Sequence, residues 1–511
     1  MQGKKHYQEK LFTTFRLSDR VPENNFYRLL DSCLDLNFLY AATKKYYGKE
    51  GQASIDPVVF FKLLLTGYFE NLQSDRKIIE NARLRLDILY FIGYDIDEEL
   101  PWHSTLSRTR QLIGEEVFRT LFKTVLKLCI EKGMVAGKRQ AIDSVLVKAN
   151  ASMDSLVDKE ILEDGVVYLT SLNEEEQKEE ELTMKIPTST PTKKSNKNRY
   201  SPTDPDARIA TKPGKPSQMN YLGQVSVDTA HHVITNIEAH HADKRDSECL
   251  EEVLDHTKDN LSTLDMKVEE IVADTNYSSA EALKAINKRD IIGYVPNFGG
   301  YKNEREGFIY CKEGDYYQCQ QGAKLLFKGI RIRNDRGGMK QYRASSKDCR
   351  NCLLKSQCIK KGSYKTLADS VDKGLYDEMH QRMKSWYAYH MRILRSSTVE
   401  PVIGTLVNVL AMKRVNSKGI KQANKHMIGA AIAYNLKKWL NWQVKKPSIA
   451  LFALQIHEKN QLDGTSSLKF TPYLEWNKPK WKKLVSTQFS NLINRIIYKI
   501  NLKLENILQF C

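Results

Sequence analysis

The chain has 511 residues, enough for about three units of ~150 residues and a large core, and its 79 basic against 62 acidic residues leave a formal charge of 79 − 62 = +17 that would concentrate a polyanion near its surface. The opening MQGKKHYQEK lacks the apolar core of a secretory signal, and runs such as the one around Val58 to Leu65 fall short of the ~20 residues that cross a bilayer, so neither a secreted nor a membrane protein is expected. Nine cysteines, an odd number unevenly spread, argue against a disulfide framework and for the reducing cytoplasm.

Residues 1–135 read as helical. Asp56 with Pro57 supplies a cap and a first-turn proline, and Val58, Phe61, Leu64, Leu65 and Tyr68 follow at helical spacing. Further starts are predicted at Ser74 with Asp75 and at Ser104, and Phe118 to Cys129 forms an amphipathic helix stopped by Gly133. The pattern changes at Ala141. Ile142, Val145, Leu146 and Val147 are β-prone; Gln224 to Asp228 and Val233 to Ile237 read as two strands turning at His231 and His232. A helix is predicted from Asp246 to Leu254, a strand from Val268 to Ala273, a short helix after Ser278, and a strand from Ile291 to Val295. Strand, helix and strand in this order imply an α/β core with some parallel pairing over 136–298.

Two segments interrupt that core. Residues 153–200 pass from an acidic half to a basic, proline-rich and threonine-rich half, too polar to offset the entropy of ordering, so mobility is expected there. Residues 299–367 carry the cysteine cluster. From 368 to 442 the chain is helical again, with Thr398 as a cap and Pro401 just inside the helix. The tail, 443–511, is basic, and its PKWKK places Lys480, Lys482 and Lys483 around Trp481, a pattern suited to a phosphate backbone.

Four carboxylates stand out by position. Asp143 follows a predicted strand in AIDSVLVKANAS, Asp228 closes one in QVSVDTAHH, Asp274 closes another in EEIVADTNYSS, and Glu400 opens a helix in RSSTVEPVIG. Strand ends are where α/β folds place sites, although any one of these acids would serve equally as a cap or turn residue.

The segments QASIDPVVFFKLLLTGYFENLQSDR, YFIGYD, LPWHSTLSRTR, AIDSVLVKANAS, SPTDPDARIA, YLGQVSVDTAHHVI, EEIVADTNYSS, STVEPVIGTL and IGAAIAYNLKKWL resemble, in order, the DDE-type transposases of bacterial insertion sequences. The resemblance runs from about residue 15 to 442. It implies a helical N-terminal domain for DNA or dimer contact, then an interrupted ribonuclease H-like mixed sheet. It assigns the catalytic triad and Mg²⁺ ligands to Asp143, Asp274 and Glu400, with Mn²⁺ as a substitute and Asp228 as a rival ligand. Double-stranded DNA, as terminal inverted repeats and as target, is the implied partner, bound by a homodimer. An endonuclease without strand transfer, or a DNA-binding protein that has lost catalysis, is the alternative.

Related transposases carry the pattern Y-x2-R-x3-E-x6-K around the glutamate, from which this chain departs: Ser396 occupies the arginine position and Val407 the lysine position. Arg392, Arg395 and Lys413 are the nearest bases, and Arg395 is the expected phosphate contact. Arg108 and Arg110 are the corresponding choice in the N-terminal domain, while Asp204, Asp206 and Arg208 are expected to close over the site. Cys349, Cys352 and Cys358, with Cys319 upstream, have spacing suited to a tetrahedral Zn²⁺ site, Cys311 competing for the fourth place.

Overall fold

The Asp56 carboxylate starts the first long helix, α1 (Pro57–Phe69), accepting from Val58 N at 2.7 Å and Val59 N at 3.1 Å, while Pro57 occupies a position where an amide would lack an intrahelical partner. In this computed structural model the described residues are 14–48, 50, 54–158, 195–211, 214, 216–262, 265–299, 301, 303–333 and 337–462. The predicted starts at residues 74–75 and 104 correspond to α2 (Asp75–Leu84) and α3 (His103–Leu112). The amphipathic run becomes α4 (Glu115–Glu131), whose Phe118, Leu121, Phe122, Val125, Leu126 and Cys129 are buried, and Gly133 follows it at φ +70°.

The central sheet comprises β1 (Arg139–Lys148), β2 (Gln218–Asp228), β3 (Ile234–His241), β4 (Glu270–Val272) and β5 (Ile292–Tyr294), in the spatial order β3-β2-β1-β4-β5. The first three are antiparallel neighbours, whereas β4 and β5 run parallel to β1. A short strand, Arg208–Ala210, pairs with the start of β2. Helix α5 (Asp246–Ser262) follows β3 and α6 (Ala280–Lys288) joins β4 to β5, the crossover that parallel pairing requires. Every strand is found where the sequence predicts one, but β2 begins six residues earlier than the pattern suggested, at Gln218 rather than Gln224. Alternation cannot mark that start, because both faces of β2 are buried from Met219 onward.

A second, antiparallel sheet of five strands follows: β6 (Phe308–Cys311), β7 (Tyr316–Cys319), β8 (Lys324–Arg333), β9 (Gly337–Ala344) and β10 (Thr366–Ser370). It lies in the segment that carries the cysteine cluster and has a small core of its own around Tyr317, Leu325 and Tyr342. Helices α7 (Lys373–Met383), α8 (Trp386–Asn408) and α9 (Ile420–Leu462) follow. Thr398 does not cap a helix: α8 starts at Ser385, whose side chain accepts from Ala388 N, and runs on through Thr398 with Pro401 in its interior. No helix among the described residues is long and apolar enough to cross a membrane.

Two compact units are distinguished, Met1–Lys446 and Pro447–Cys511. In the first, one hydrophobic cluster runs from Tyr27 and Phe60 of the helical region through Val145 and Val225 of the sheet to Met427 and Leu436 of α9. In the second, residues 447–462 are helical, and the predicted phosphate-contacting Lys480, Lys482 and Lys483 lie outside the described residues, as does most of the 153–200 segment.

The helical region and α9 meet at Gly429, where an added Cβ would lie 2.5 Å from Cε2 and 2.7 Å from Oη of the buried Tyr68. Gly429→Ala is expected to lower the unfolding free energy by about 1–3 kcal/mol through this overpacking, measured by urea or thermal unfolding.

Candidate active site

Asp143 lies within β1 rather than after a strand, paired across the ladder with Val225 of β2. The parallel pairing of β1 with β4 stops at Ala141–Val272, so beyond it the β1 edge carrying Asp143 has no β4 partner. Asp274 stands just past the end of β4 and caps a short turn over Thr275–Tyr277, accepting from Asn276 N at 2.8 Å. Two residues of chain beyond the paired segment bring Asp274 to the level of Asp143.

Glu400 comes from α8, which packs against β1. The link between them is Arg395, whose Nη1 is 2.8 Å from Asp143 Oδ2 and whose Nη2 is 3.5 Å from Glu400 Oε1. Arg395 is displaced by one residue from the resembled pattern, yet its long side chain still reaches the carboxylates. Asp143 and Arg395 are mostly shielded, each side chain being 18% exposed, whereas Glu400 is 61% exposed. Burial pushes the Asp143 carboxyl up, against the pull of Arg395. Burial also raises Asp274, and the charge of Asp143 adds to the rise. Asp143 and Glu400 thus share the Arg395 guanidinium and Asp274 lies near enough to Asp143 to be raised by its charge, but no three oxygens of these acids lie within 4.8 Å of one another.

A groove of about 320 Å³ opens beside Asp274, lined by Tyr389, Arg392 and Arg395 of α8. Lys413 lies past the end of α8, where its carbonyl accepts from Lys148 N at 3.2 Å. Beside Asp274 lies a hydrogen-bonded network of Asp246, Gln224 and Tyr277 that the sequence did not mark. Asp246 is the first residue of α5 and accepts from Gln224 Nε2 at 3.0 Å; Gln224 Oε1 in turn accepts from the buried Tyr277 hydroxyl. An acid opening a helix reads in sequence only as a favourable N-terminal charge.

Asp228 is not a ligand of this site. It is fully buried and accepts from Gly137 N at 2.8 Å, Ala230 N at 2.9 Å, Gln140 Nε2 at 3.1 Å and Ala136 N at 3.3 Å. Because β2 is antiparallel to β1, its last residue pairs with Gln140, three residues from Asp143 and thus ~10 Å along the strand. Nor do Asp204 and Asp206 close over the carboxylates. They hold the entry to α9, Asp204 accepting from Gly419 N at 3.0 Å and Asp206 from Ile420 N at 2.9 Å, while Arg208 pairs with Asp243 at 3.4 Å. Arg110 is engaged inside the fold, its guanidinium meeting both Asp75 oxygens at 2.5 and 2.8 Å, while Arg108 is exposed.

Cys319, Cys349, Cys352 and Cys358 line one cleft of about 760 Å³, and Cys311 is not among its lining residues. No three of these sulfurs lie within the mutual 4.8 Å of a shared ion, a separation met among the described residues by Glu238, His240 and Glu252. Glu238 is buried and already satisfied: His240 Nε2 is 3.2 Å from its Oε1, and His256 Nδ1 bonds its Oε2. These imidazoles hold the Glu238 carboxyl down to about 2 against the opposing effect of burial, and its bond raises His256 above the ordinary 6.5. A lowered carboxylate stabilises the fold above its unfolded value near 4.5 and loses that contribution as pH falls toward 2; a raised histidine stabilises below 6.5 and loses it as pH rises through the folded value. Glu238→Gln is therefore expected to destabilise more at about pH 6 than at about pH 8.5, read from urea unfolding at each pH.

Residues 15–112 match the family described as a transposase domain, and residues 318–440 match the family described as a transposase DDE domain. Glu400 falls within the second match; Asp143 and Asp274 lie between the two. No curated protein matches the chain. Among solved structures, the chain overlaps a piggyBac transposase synaptic complex with hairpin DNA at 8% identity and TM-score 0.27, covering 88% of each chain. It also overlaps a Mos1 transposase paired-end complex with left transposon end at 10% identity and TM-score 0.16, covering 52% of this chain and 67% of that one. Superpositions this loose carry no argument about fold or chemistry. Taken in chain order, the two domain matches support a DDE-type transposase as what this chain is similar to.

Proposed function

We propose that the chain cleaves DNA at the ends of a mobile element and joins the freed 3′-hydroxyl to target DNA, using a divalent-metal site of Asp143, Asp274 and Glu400 in a ribonuclease H-like core. The observation that carries this reading is the Arg395 bridge between Asp143 and Glu400, beside the mutually repelling Asp274. Support for the fold assignment comes from the strand order, three antiparallel strands followed by two parallel ones, with acids on the first strand, after the fourth and on a C-terminal helix.

The donor set fits Mg²⁺, or Mn²⁺ in its place: all are hard carboxylate oxygens, and a guanidinium between two of them marks where positive charge is needed. When bound, such ions polarise the phosphodiester and activate the attacking oxygen. Asp143, Asp274 and Glu400 would hold the ions, Asp143 together with Asp274 on one side and with Glu400 on the other. Arg392 and Arg395, which line the groove beside Asp274, hold the scissile strand by its phosphates. The exposed Arg108 is the corresponding contact in the helical region, residues 1–135, and the basic tail from 443 adds non-specific affinity. Joining requires two ends held together, so a second copy is expected on DNA.

The test is incubation of DNA bearing the element's terminal inverted repeats with a target plasmid and Mg²⁺. Joined products support strand transfer. Cleavage with no joining, even from pre-cut ends, would leave an endonuclease; DNA binding with neither would leave a non-catalytic protein.

A structural Zn²⁺ in the insert is part of the same proposal: Cys319, Cys349, Cys352 and Cys358 line one cleft, and their sulfurs would have to draw together on the ion. Zinc analysis of the purified protein is expected to give about one ion per chain, lost in Cys352→Ser. A zinc-free wild type would remove the site.

A further inference from the structure

We infer that a polar groove where the helical region meets the core holds the phosphate backbone of the element-end duplex, about five to seven nucleotides from the scissile phosphate. This inference rests on the proposed function, because it places a second grip on the DNA that the carboxylates are proposed to cut. The groove, of about 780 Å³, brings together stretches distant in sequence: residues 71–77 with His103 and Ser107 from the helical region, Asn150 just past β1, and Arg414 with Asn416 ahead of α9. It shares no lining residue with the groove beside Asp274.

Charge selects the occupant. Arg76, Lys77 and Arg414 are exposed, and among the described residues none of them pairs with an acid. The one carboxylate among the described lining residues, Asp75, is taken by Arg110, whose guanidinium meets its two oxygens at 2.5 and 2.8 Å. The lining therefore carries three uncompensated positive charges, which a polyanion would neutralise. Their side chains are also braced. Arg414 Nη2 donates to Asn150 Oδ1 at 2.8 Å, and Asn150 Nδ2 donates to Asn416 O at 3.0 Å; Arg76 Nη2 lies 3.4 Å from His103 Nε2.

Two elements fix the distance from the carboxylates to this groove. Along β1, Lys148 is five residues and thus ~17 Å from Asp143, and Asn150 is two residues further, ~23 Å at full extension. The Lys148 carbonyl accepts from Val415 N at 2.8 Å, so the end of β1 holds the segment that bears Arg414. Along α8, Asn408 is eight residues and thus ~12 Å from Glu400, and its carbonyl accepts from Asn71 Nδ2 at 3.2 Å. Asn71 Oδ1 also accepts from Ala411 N at 3.0 Å, tying the helical region to the turn after α8. One DNA strand advances ~3.4 Å per nucleotide, so ~17–23 Å corresponds to about five to seven nucleotides.

The test is binding of a duplex bearing the terminal inverted repeat to the full chain over a salt series, for wild type and for the triple variant Arg76→Gln, Lys77→Gln, Arg414→Gln. All three side chains are exposed, and urea unfolding checks that the fold is kept. The variant is expected to bind at least about tenfold more weakly, with the slope of log K against log salt reduced by about 2–3. Equal affinity and slope in variant and wild type, with cleavage and joining retained, would overturn the groove and leave the proposed function standing. A second readout needs no variant: neutral methylphosphonates are placed one at a time along the repeat, and wild-type binding is measured. Weakening is expected about five to seven nucleotides from the cleavage point as well as beside it. Weakening beside the cleavage point alone would overturn this inference only. Wild type that neither binds nor cleaves a repeat-bearing duplex would overturn the proposed function and this inference with it.

Discussion

Alanine at Asp143, Asp274 or Glu400 is expected to lower strand cleavage by about 10³-fold or more while leaving DNA affinity nearly intact. The reason is that the three acids are carried by elements that do not depend on them. β1 is held by β2 along its length, β4 holds the turn bearing Asp274, and α8 is anchored through the buried Met391, Val399, Val402 and Leu406. Removing one carboxylate therefore removes charge and a donor rather than a scaffold. Asp228→Asn provides the contrast. Its four bonds to backbone and Gln140 are lost in part, so the effect should fall on stability, at about 1–3 kcal/mol, and leave metal binding unchanged. Gel-based cleavage, filter binding and urea unfolding on the same preparations separate the two outcomes.

The second large effect is on metal-dependent stability. Asp143 and Asp274 are both raised by burial, and Asp274 further by Asp143. A carboxylate whose folded value lies above the unfolded one costs stability once it ionises, so the metal-free protein should gain stability as pH falls through the folded values toward the ordinary 3.8. A divalent cation removes that cost at neutral pH. At a free concentration one hundred times its dissociation constant, Mg²⁺ should raise the unfolding free energy by about 2.7 kcal/mol. Asp274→Asn should unfold at higher temperature than wild type without metal, since it removes the repelled charge, and should show almost no gain on adding Mg²⁺. An equal Mg²⁺ gain in variant and wild type would place the bound ion elsewhere. Calorimetric unfolding with and without Mg²⁺ reads both arms.

The elements of the core were legible where the chain is locally consistent. Asp56 with Pro57, the stripe from Phe118 to Cys129 and the β-prone run after Ala141 each combine a boundary residue with a matching period. The start of α8 was not legible, because Ser385 is followed by mixed polar and aromatic residues while Thr398 with Pro401 imitates a helix start. The choice of Asp143, Asp274 and Glu400 as one set came from motif order, not from spacing, since they are separated by more than a hundred residues each.

What misled was strand direction. Asp228 and Asp274 look alike as strand-end acids, but β2 is antiparallel to β1 and β4 parallel, so their ends lie at different levels of the sheet. Periodicity carries no information on that. Partners distant in sequence were equally invisible: Asp75 takes Arg110 out of play, and the start of α9 claims Asp204 and Asp206. Asp246 escaped notice for the opposite reason, its helix-opening position giving it a sufficient local explanation.

Whether Asp143, Asp274 and Glu400 share a metal site is decided by Mn²⁺ anomalous scattering from crystals of the full chain grown with the ion. Peaks are expected between Asp143, Asp274 and Glu400, with the Arg395 guanidinium no longer bridging the carboxylates. Peaks confined to Glu238, His240 and Glu252, with Arg395 still joining Asp143 to Glu400, would contradict a shared site.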